Sequence, residues 1–206
     1  MRRKKIISLS VVVVNYNGGD RLLSCILSIT LQSSKPQIII LVDNASTDHS
    51  ADAVEKAYPE VNIVRLKENR GPSAARNAGI AQSKTDLVLF VDADIYLARF
   101  CLQRLVLAYR QYSAVICPRI VFYSNPEFIQ CDGTSAHFIG TLTLLHNRLA
   151  LEKAPRTVQT VGGCPSACLL VETRIARELG GFDESYFFYF EDLEFNLKLR
   201  SKGYRI

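Results

Sequence analysis

Apolar residues run along this chain in two rhythms. Short continuous runs rich in Val, Ile and Leu occupy residues 6–14, 38–42, 62–66 and 87–91. Runs of that length and composition read as strands, and the first, 6–14, as one buried on both faces. Between them the spacing turns helical. In residues 20–31, Leu22, Leu23, Ile26 and Leu27 share one stripe. Residues 48–58 read as a shorter helix closed by Pro59. Residues 73–83 read as an alanine-rich helix behind the breaker Gly71-Pro72, and 98–111 as a fourth helix. Strands joined by helices predict an α/β fold with a mainly parallel central sheet flanked by helices.

From residue 114 the alternation weakens. A polar loop at 124–133 follows, and 148–155 reads as a mobile loop. Residues 161–171 read as a strand entered through Gly162-Gly163. Residues 173–179 read as a short helix stopped by Gly180-Gly181, and 192–202 as a last helix stopped by Gly203. Gly203-Tyr204-Arg205 looks like the start of another strand, so a continuation beyond Ile206 is expected.

The length suits one domain, and the balance of 48% hydrophobic to 22% charged residues excludes a disordered chain. The net charge of +5 is concentrated in Arg2-Arg3-Lys4-Lys5. That cluster suits anionic lipid or a phosphorylated substrate, or is simply a solvated terminus. No basic stripe with interleaved aromatics appears, so nucleic acid is not an expected partner. The six cysteines form no CxxC pair, and His49, His137 and His146 sit in no ligand spacing, which argues against zinc. Cysteines in apolar company read as buried free thiols and a cytoplasmic setting. The basic start and first apolar run look like parts of a signal peptide. No small-residue cleavage site follows, so a buried first strand accounts for them better. No run reaches the roughly 18 apolar residues of a membrane span.

Ligands of parallel α/β sheets bind beyond the carboxyl ends of the strands. Three polar clusters fall there: Asn15-Tyr16-Asn17, Asp43-Asn44 and Asp92-Ala93-Asp94. No GxGxxG, GxxxxGK[ST] or GxSxG accompanies them, which disfavours a dinucleotide dehydrogenase, a P-loop enzyme and an esterase. A bound phosphate must therefore be neutralised by something other than a glycine cradle. Asp92 and Asp94, just past a buried run, can share one Mg²⁺ or Mn²⁺ that bridges to a diphosphate. The alternative is a polar turn capping the next helix. Asp43-Asn44 can read the edge of a base while Tyr16 stacks on its face, or can form an Asx-turn. Arg70 and Arg76 sit where a helix start suits phosphate contact, or are surface arginines. Glu191-Asp192 follows Tyr186-Phe-Phe-Tyr-Phe190. Aromatics that exclude water raise a carboxylate's pKa, while a helix N-terminus favours its charge. The pair reads as a general base, or as an acidic helix cap.

Five pieces now stand in order: Val11-Val-Val-Val-Asn-Tyr-Asn17, Leu41-Val-Asp-Asn-Ala-Ser-Thr-Asp48, Glu68-Asn-Arg-Gly-Pro-Ser-Ala-Ala-Arg-Asn-Ala-Gly79, Phe90-Val-Asp-Ala-Asp94, and Gly180-Gly-Phe-Asp-Glu184 leading to Phe190-Glu-Asp192 and Gly203-Tyr204. The set resembles family 2 glycosyltransferases of the GT-A fold, closest to those of the rhamnosyltransferase type. The resemblance implies one catalytic domain, with residues 1–112 binding the nucleotide sugar and 113–206 forming a smaller acceptor-side half. It implies an inverting transferase with Mn²⁺ or Mg²⁺, a nucleoside diphosphate sugar donor, and a saccharide or lipid-linked acceptor in cell-surface polysaccharide or lipid-linked glycan synthesis. Such enzymes act at the inner face of the cell membrane, so peripheral membrane association is expected. Carried across, Val14 and Tyr16 line the base pocket and Asp43-Asn44 read its edge. Asp92 and Asp94 serve ribose, metal and diphosphate. Asp192 is the base, helped by Glu191, and Gly162, Gly163 and Cys164 border the acceptor. Asn44 stands where many relatives carry a second aspartate. Gly163-Cys-Pro-Ser-Ala-Cys168 is longer than the usual Gly-Ala-Cys, and the segment carrying a distal histidine in many members is absent.

Two rival readings remain. A nucleotidyltransferase needs a basic glycine loop after the first strand, which residues 15–19 lack. A non-catalytic sugar-nucleotide-binding domain has no need of the intact Glu191-Asp192.

Overall fold

The computed structural model of the chain describes residues 6–136 and 142–206. Its first half repeats strand and helix: β1 (Leu9–Asn15), α1 (Gly19–Thr30), β2 (Ile38–Asp43), α2 (Ser50–Ala57), β3 (Asn62–Arg65), α3 (Gly71–Gln82), β4 (Leu87–Asp92) and α4 (Cys101–Tyr112). The second half is built from β5 (Ile120–Val121), β6 (Ile129–Cys131), β7 (Thr134–Ala136), β8 (Leu142–Leu144), β9 (Cys168–Glu172), α5 (Thr173–Glu178) and α6 (Glu191–Ser201). The central sheet has the order β3-β2-β1-β4-β9. Its first four strands are parallel, and β9 runs antiparallel beside β4, from Leu87 opposite Glu172 to Val91 opposite Cys168. Hairpins β5-β6 and β7-β8 make the smaller half.

The β-branched run of β1 is buried on both faces, and its period of two divides it between two cores. Val11 and Val13 pack with Leu22 and Ile26 of α1 and Leu102 of α4. Val12 packs into the other core, with Phe90, Phe182 and Phe195. There the Phe182 ring stacks on Phe195 at 4.3 Å and meets Phe90 edge-on at 5.2 Å. Small residues let α3 lie close on the sheet. A Cβ added at Gly79 would sit 2.2 Å from Val12 Cγ1. Gly79→Ala is therefore expected to lower stability by about 1–3 kcal/mol, the usual cost of overpacking a filled core. A denaturant midpoint equal to wild type would show that the helix can shift away.

Several expectations change at element boundaries. The first strand begins at Leu9, not at residue 6. The second helix starts at Ser50, because Asp48 Oδ1 accepts from Ser50 N at 3.0 Å and His49 turns left-handed with φ 59°. The expected strand 161–171 shrinks to Cys168–Glu172. Its earlier part leaves the sheet: Gly163 pairs with Thr134, and Pro165 offers no amide to a ladder. Residues 148–155 are tied down, with Arg148 N donating to Ile129 O and Leu151 N to Glu127 O, around a 3₁₀ turn at Leu151–Lys153. No strand forms at residues 204–206; Arg205 O instead accepts from Val115 N, and Ile206 O from Val161 N. All six cysteines are free thiols. Among the described residues no helix is long and apolar enough to cross a membrane. The basic cluster 2–5 and His137 lie outside the described residues.

Candidate active site

A cleft of about 850 Å³ opens at the carboxyl ends of β1 and β4. Val14, Tyr16 and Asn44 line it on the sheet side; Asp92 and Asp94 follow β4; Arg76 and Glu191 reach it from α3 and α6. Tyr16 is 52% exposed, which leaves its ring available for stacking. The structure thus gathers seven of the expected site residues.

Asp43 is not among them. Its buried carboxylate accepts from Asn15 Nδ2 at 2.9 Å and from Ser46 N at 3.3 Å, which spends it on the loop that follows β2. Of the expected pair of base readers, Asn44 stands at the cleft wall and Asp43 is buried behind it. Asn44 is also a strut. Its Nδ2 donates to Asn69 Oδ1 at 2.8 Å and Gly71 O at 3.1 Å, and its Oδ1 accepts from Arg70 N at 3.0 Å. These bonds fix the turn into α3. Gly71 in that turn has φ +79°, and a Cβ there would meet Phe187 O at 2.3 Å. The turn therefore clamps the aromatic loop, whose Phe187 and Phe188 wall the cleft. Arg70 itself pairs with Glu184 at 2.7 Å.

Arg76 is the centre of the site. Its side chain is 3% exposed. Nη2 donates to Asp92 Oδ1 at 2.8 Å, Nη1 to Glu191 Oε1 at 3.1 Å, and the guanidinium lies 5.3 Å over the Phe182 ring. Both Nη atoms thus donate to carboxylates. The Nε of Arg76 and the Oε2 of Glu191 are buried without a protein partner. Asp94 differs from Asp92: it is exposed, and it forms no hydrogen bond or ion pair among the described residues.

Asp192 follows Glu191 in the first turn of α6 and does not line the cleft. Burial, then the adjacent Glu191 carboxylate, push its pKa above the ordinary carboxylate value; the Leu193 amide and Arg76 pull the other way. Gly162, Gly163 and Cys164 lie on the same side as Asp192. Asn196, one turn along α6, joins them: it accepts from Cys164 N at 3.0 Å and donates to Cys164 O at 2.8 Å and Asp192 O at 2.6 Å. Gly163 pairs with Thr134 in both directions, and Gly162 O accepts from Arg200. Asn196 and Asn69 carry no assigned role in the sequence, and Asn15 stands there only within the polar cluster after the first strand. A polar residue four places after Asp192, between apolar neighbours, was the available signal for Asn196.

No group of three or more His, Cys, Asp or Glu side chains able to hold a metal occurs among the described residues. Any ion here would have to draw most of its ligands from substrate and water. Mg²⁺ and Mn²⁺ use one or two carboxylates in that manner, so the free Asp94 fits the chemistry.

The family described as "Glycosyl transferase family 2" matches residues 10–171. An N-acetylglucosaminyl-diphospho-decaprenol L-rhamnosyltransferase of Mycobacterium tuberculosis is 27% identical over 222 residues, spanning 95% of this chain and 71% of that protein. Among solved structures, residues 1–349 of S. aureus TarS in complex with UDP superpose with a TM-score of 0.62 at 23% identity, covering 93% of this chain and 54% of that one. A mannosyltransferase from Pyrobaculum calidifontis in complex with GDP-Man and Mn²⁺ gives 0.68 at 19% identity, covering 97% and 53%. The chain thus spans about half of each of these two solved structures. The sheet order, the cleft at its carboxyl end and the acidic loop after β4 are those of a GT-A fold, and the chain belongs to glycosyl transferase family 2.

Proposed function

We propose that this protein transfers a sugar, with inversion, from a nucleoside diphosphate sugar to an acceptor hydroxyl. One observation carries the reading. Buried Arg76 bridges Asp92, at the end of β4, to Glu191, at the start of α6. That bridge holds the diphosphate end of the cleft beside the candidate base.

In this reading the base enters the cleft against Tyr16, and Asn44 meets its edge. Asp92, steadied by Arg76, faces the ribose. Asp94 would hold Mn²⁺ or Mg²⁺, which when bound supplies positive charge to the departing diphosphate. Asp192 accepts the proton of the acceptor hydroxyl as its oxygen attacks the anomeric carbon. Phe187 and Phe188, exposed at the cleft wall, would be covered by a bound donor and shield its sugar from water. Glu191 keeps Arg76 in place. The likeness to an L-rhamnosyltransferase of a diphospho-decaprenol acceptor supports a rhamnosyl or other hexosyl group and a diphosphate-linked lipid acceptor. In this proposal the reaction takes place at the inner face of a membrane. The basic residues 2–5 suit such a surface.

The test is a thermal-shift screen of nucleoside diphosphate sugars with and without Mn²⁺. A ligand at 100 times its Kd stabilises the fold by about 2.7 kcal/mol through mass action. Asp94→Asn is expected to abolish the Mn²⁺-dependent part of the shift and to leave the unliganded melting temperature unchanged, since Asp94 is exposed. A metal-dependent shift of wild-type size in that variant removes Asp94 from the role. Absence of any shift with every nucleotide sugar would sink the donor assignment.

A further inference from the structure

A second cavity, of about 910 Å³, shares no lining residue with the donor cleft. Leu105, Val115, Ile116 and Val161 line it with apolar surface, and Leu105 and Val115 are buried. Around it stand five arginines: Arg99, Arg104, Arg119, Arg156 and Arg205. Asp132 is the one acid among the lining residues. It is already engaged: Arg119 donates to it through Nε at 3.0 Å and Nη2 at 2.7 Å, and His146 Nδ1 lies 3.0 Å away. Burial works against the charge of Asp132, but these bonds outweigh it and hold its carboxyl below the ordinary value. Arg205 donates to Tyr112 O, and Arg99 lies over the Phe100 ring. The side chains of Arg104 and Arg156 form no hydrogen bond or ion pair among the described residues. The groove therefore joins an apolar floor to a rim of uncompensated positive charge.

That combination selects an occupant. Guanidinium groups match phosphate oxygens in geometry and charge, and an apolar floor matches a hydrocarbon chain. The volume lies within the usual range of small-molecule sites. Asp192 lines neither cavity, but the groove comes within two residues of it. Cys164 lines the groove and is bonded to Asn196, which holds the Asp192 carbonyl. Asp132 follows Cys131, whose thiol pKa is raised chiefly by burial, with the charge of Asp192 adding to it. We infer that the groove seats the phosphorylated lipid part of the acceptor: the chain of a long-chain alcohol lies on the floor, its phosphates meet the arginine rim, and its sugar points to Asp192. This inference rests on the reading of the chain as a sugar transferase.

The probe is farnesyl diphosphate, titrated into the 206-residue chain in EDTA and followed by calorimetry. Binding is expected, and Arg104→Gln/Arg156→Gln is expected to weaken it by at least about tenfold, the loss of one or two charged contacts. Farnesol and inorganic diphosphate, each lacking half of the ligand, should bind more weakly by a similar factor. Asp94→Asn, in the other cavity, should leave the affinity unchanged. The inference is overturned if farnesyl diphosphate does not bind, if it ignores the two arginines, if Asp94→Asn abolishes it, or if farnesol or diphosphate alone binds as well. The nucleotide-sugar shift should persist in the double arginine variant. Loss of that shift in wild type, with farnesyl diphosphate still bound, would overturn the sugar-transfer reading and leave the groove as a lipid-phosphate site.

Discussion

Asp192→Asn is expected to lower kcat by roughly 10²–10⁴, the usual contribution of a positioned general base, while nucleotide-sugar binding persists. Asparagine keeps the shape and can still accept from Leu193 N, as Asp192 Oδ1 does at 2.8 Å. It cannot take a proton. In wild type, burial and Glu191 raise the Asp192 pKa. The acid limb of kcat/KM should therefore lie above the ordinary aspartate value of about 3.9. The same shift makes a claim about stability. A carboxyl whose pKa is raised by folding favours the fold fully below its unfolded pKa, and that contribution is lost as pH rises through the folded value. The charged form is the disfavoured one, so Asp192→Asn should melt above wild type at pH 7. The advantage should fade as pH falls into the ordinary carboxylate range. A variant that turns over at wild-type rate, or that melts lower at pH 7 and higher at pH 4, contradicts the assignment.

The parallel half of this fold was legible because its inner strands β1, β2 and β4 are buried on both faces, while β3 at the edge is not. Runs such as Val11–Val14 and Leu87–Val91 have no competing amphipathic interpretation, and the polar residues after them fall at the mouth of the cleft by topology alone. The second half was harder to read because its ordering comes from contacts distant in sequence. Cys164 owes its place to Asn196, and residues 148–151 owe theirs to backbone partners in and beside β6. Residues 161–171 have apolar strand-like content, yet a diglycine and a proline lift the first part out of the ladder. The site shows the same division. Asp92, Asp94, Glu191 and Tyr16 could be picked out by position after a strand or at a helix start. Asp43 carries the same signal as Asp92, and only the bonds from Asn15 and Ser46 show that it supports the loop. Arg76 read as a phosphate hand, because a sequence does not show that two carboxylates, 16 and 115 residues away, accept from both Nη atoms.

Removing Arg76 is expected to cost more stability than any other single change at the site. Arg76→Met keeps the buried stem over Phe182 but leaves Glu191, whose side chain is 10% exposed, without its cation. Breaking one partner out of a buried pair costs about 3–5 kcal/mol; the lower end, about 3 kcal/mol, is expected here because the Asp92 arm is 35% exposed and screened by water. A native fold holds only about 5–15 kcal/mol in all, so the loss should be plain in a denaturant midpoint. Two further readouts separate positioning from bulk stability. Arg76 is among the groups that lower the Asp192 pKa, so its removal should move the acid limb of the rate profile to higher pH. Arg76→Lys keeps the charge but not the fork, and should restore the pH limb better than the rate. Finally, Arg76→Met combined with Glu191→Gln removes both members of the buried pair. It should be more stable than Arg76→Met alone, because the stranded charge is gone. If the double variant were no more stable than the single one, the Arg76–Glu191 pair would not be what holds α6 against the donor end of the cleft.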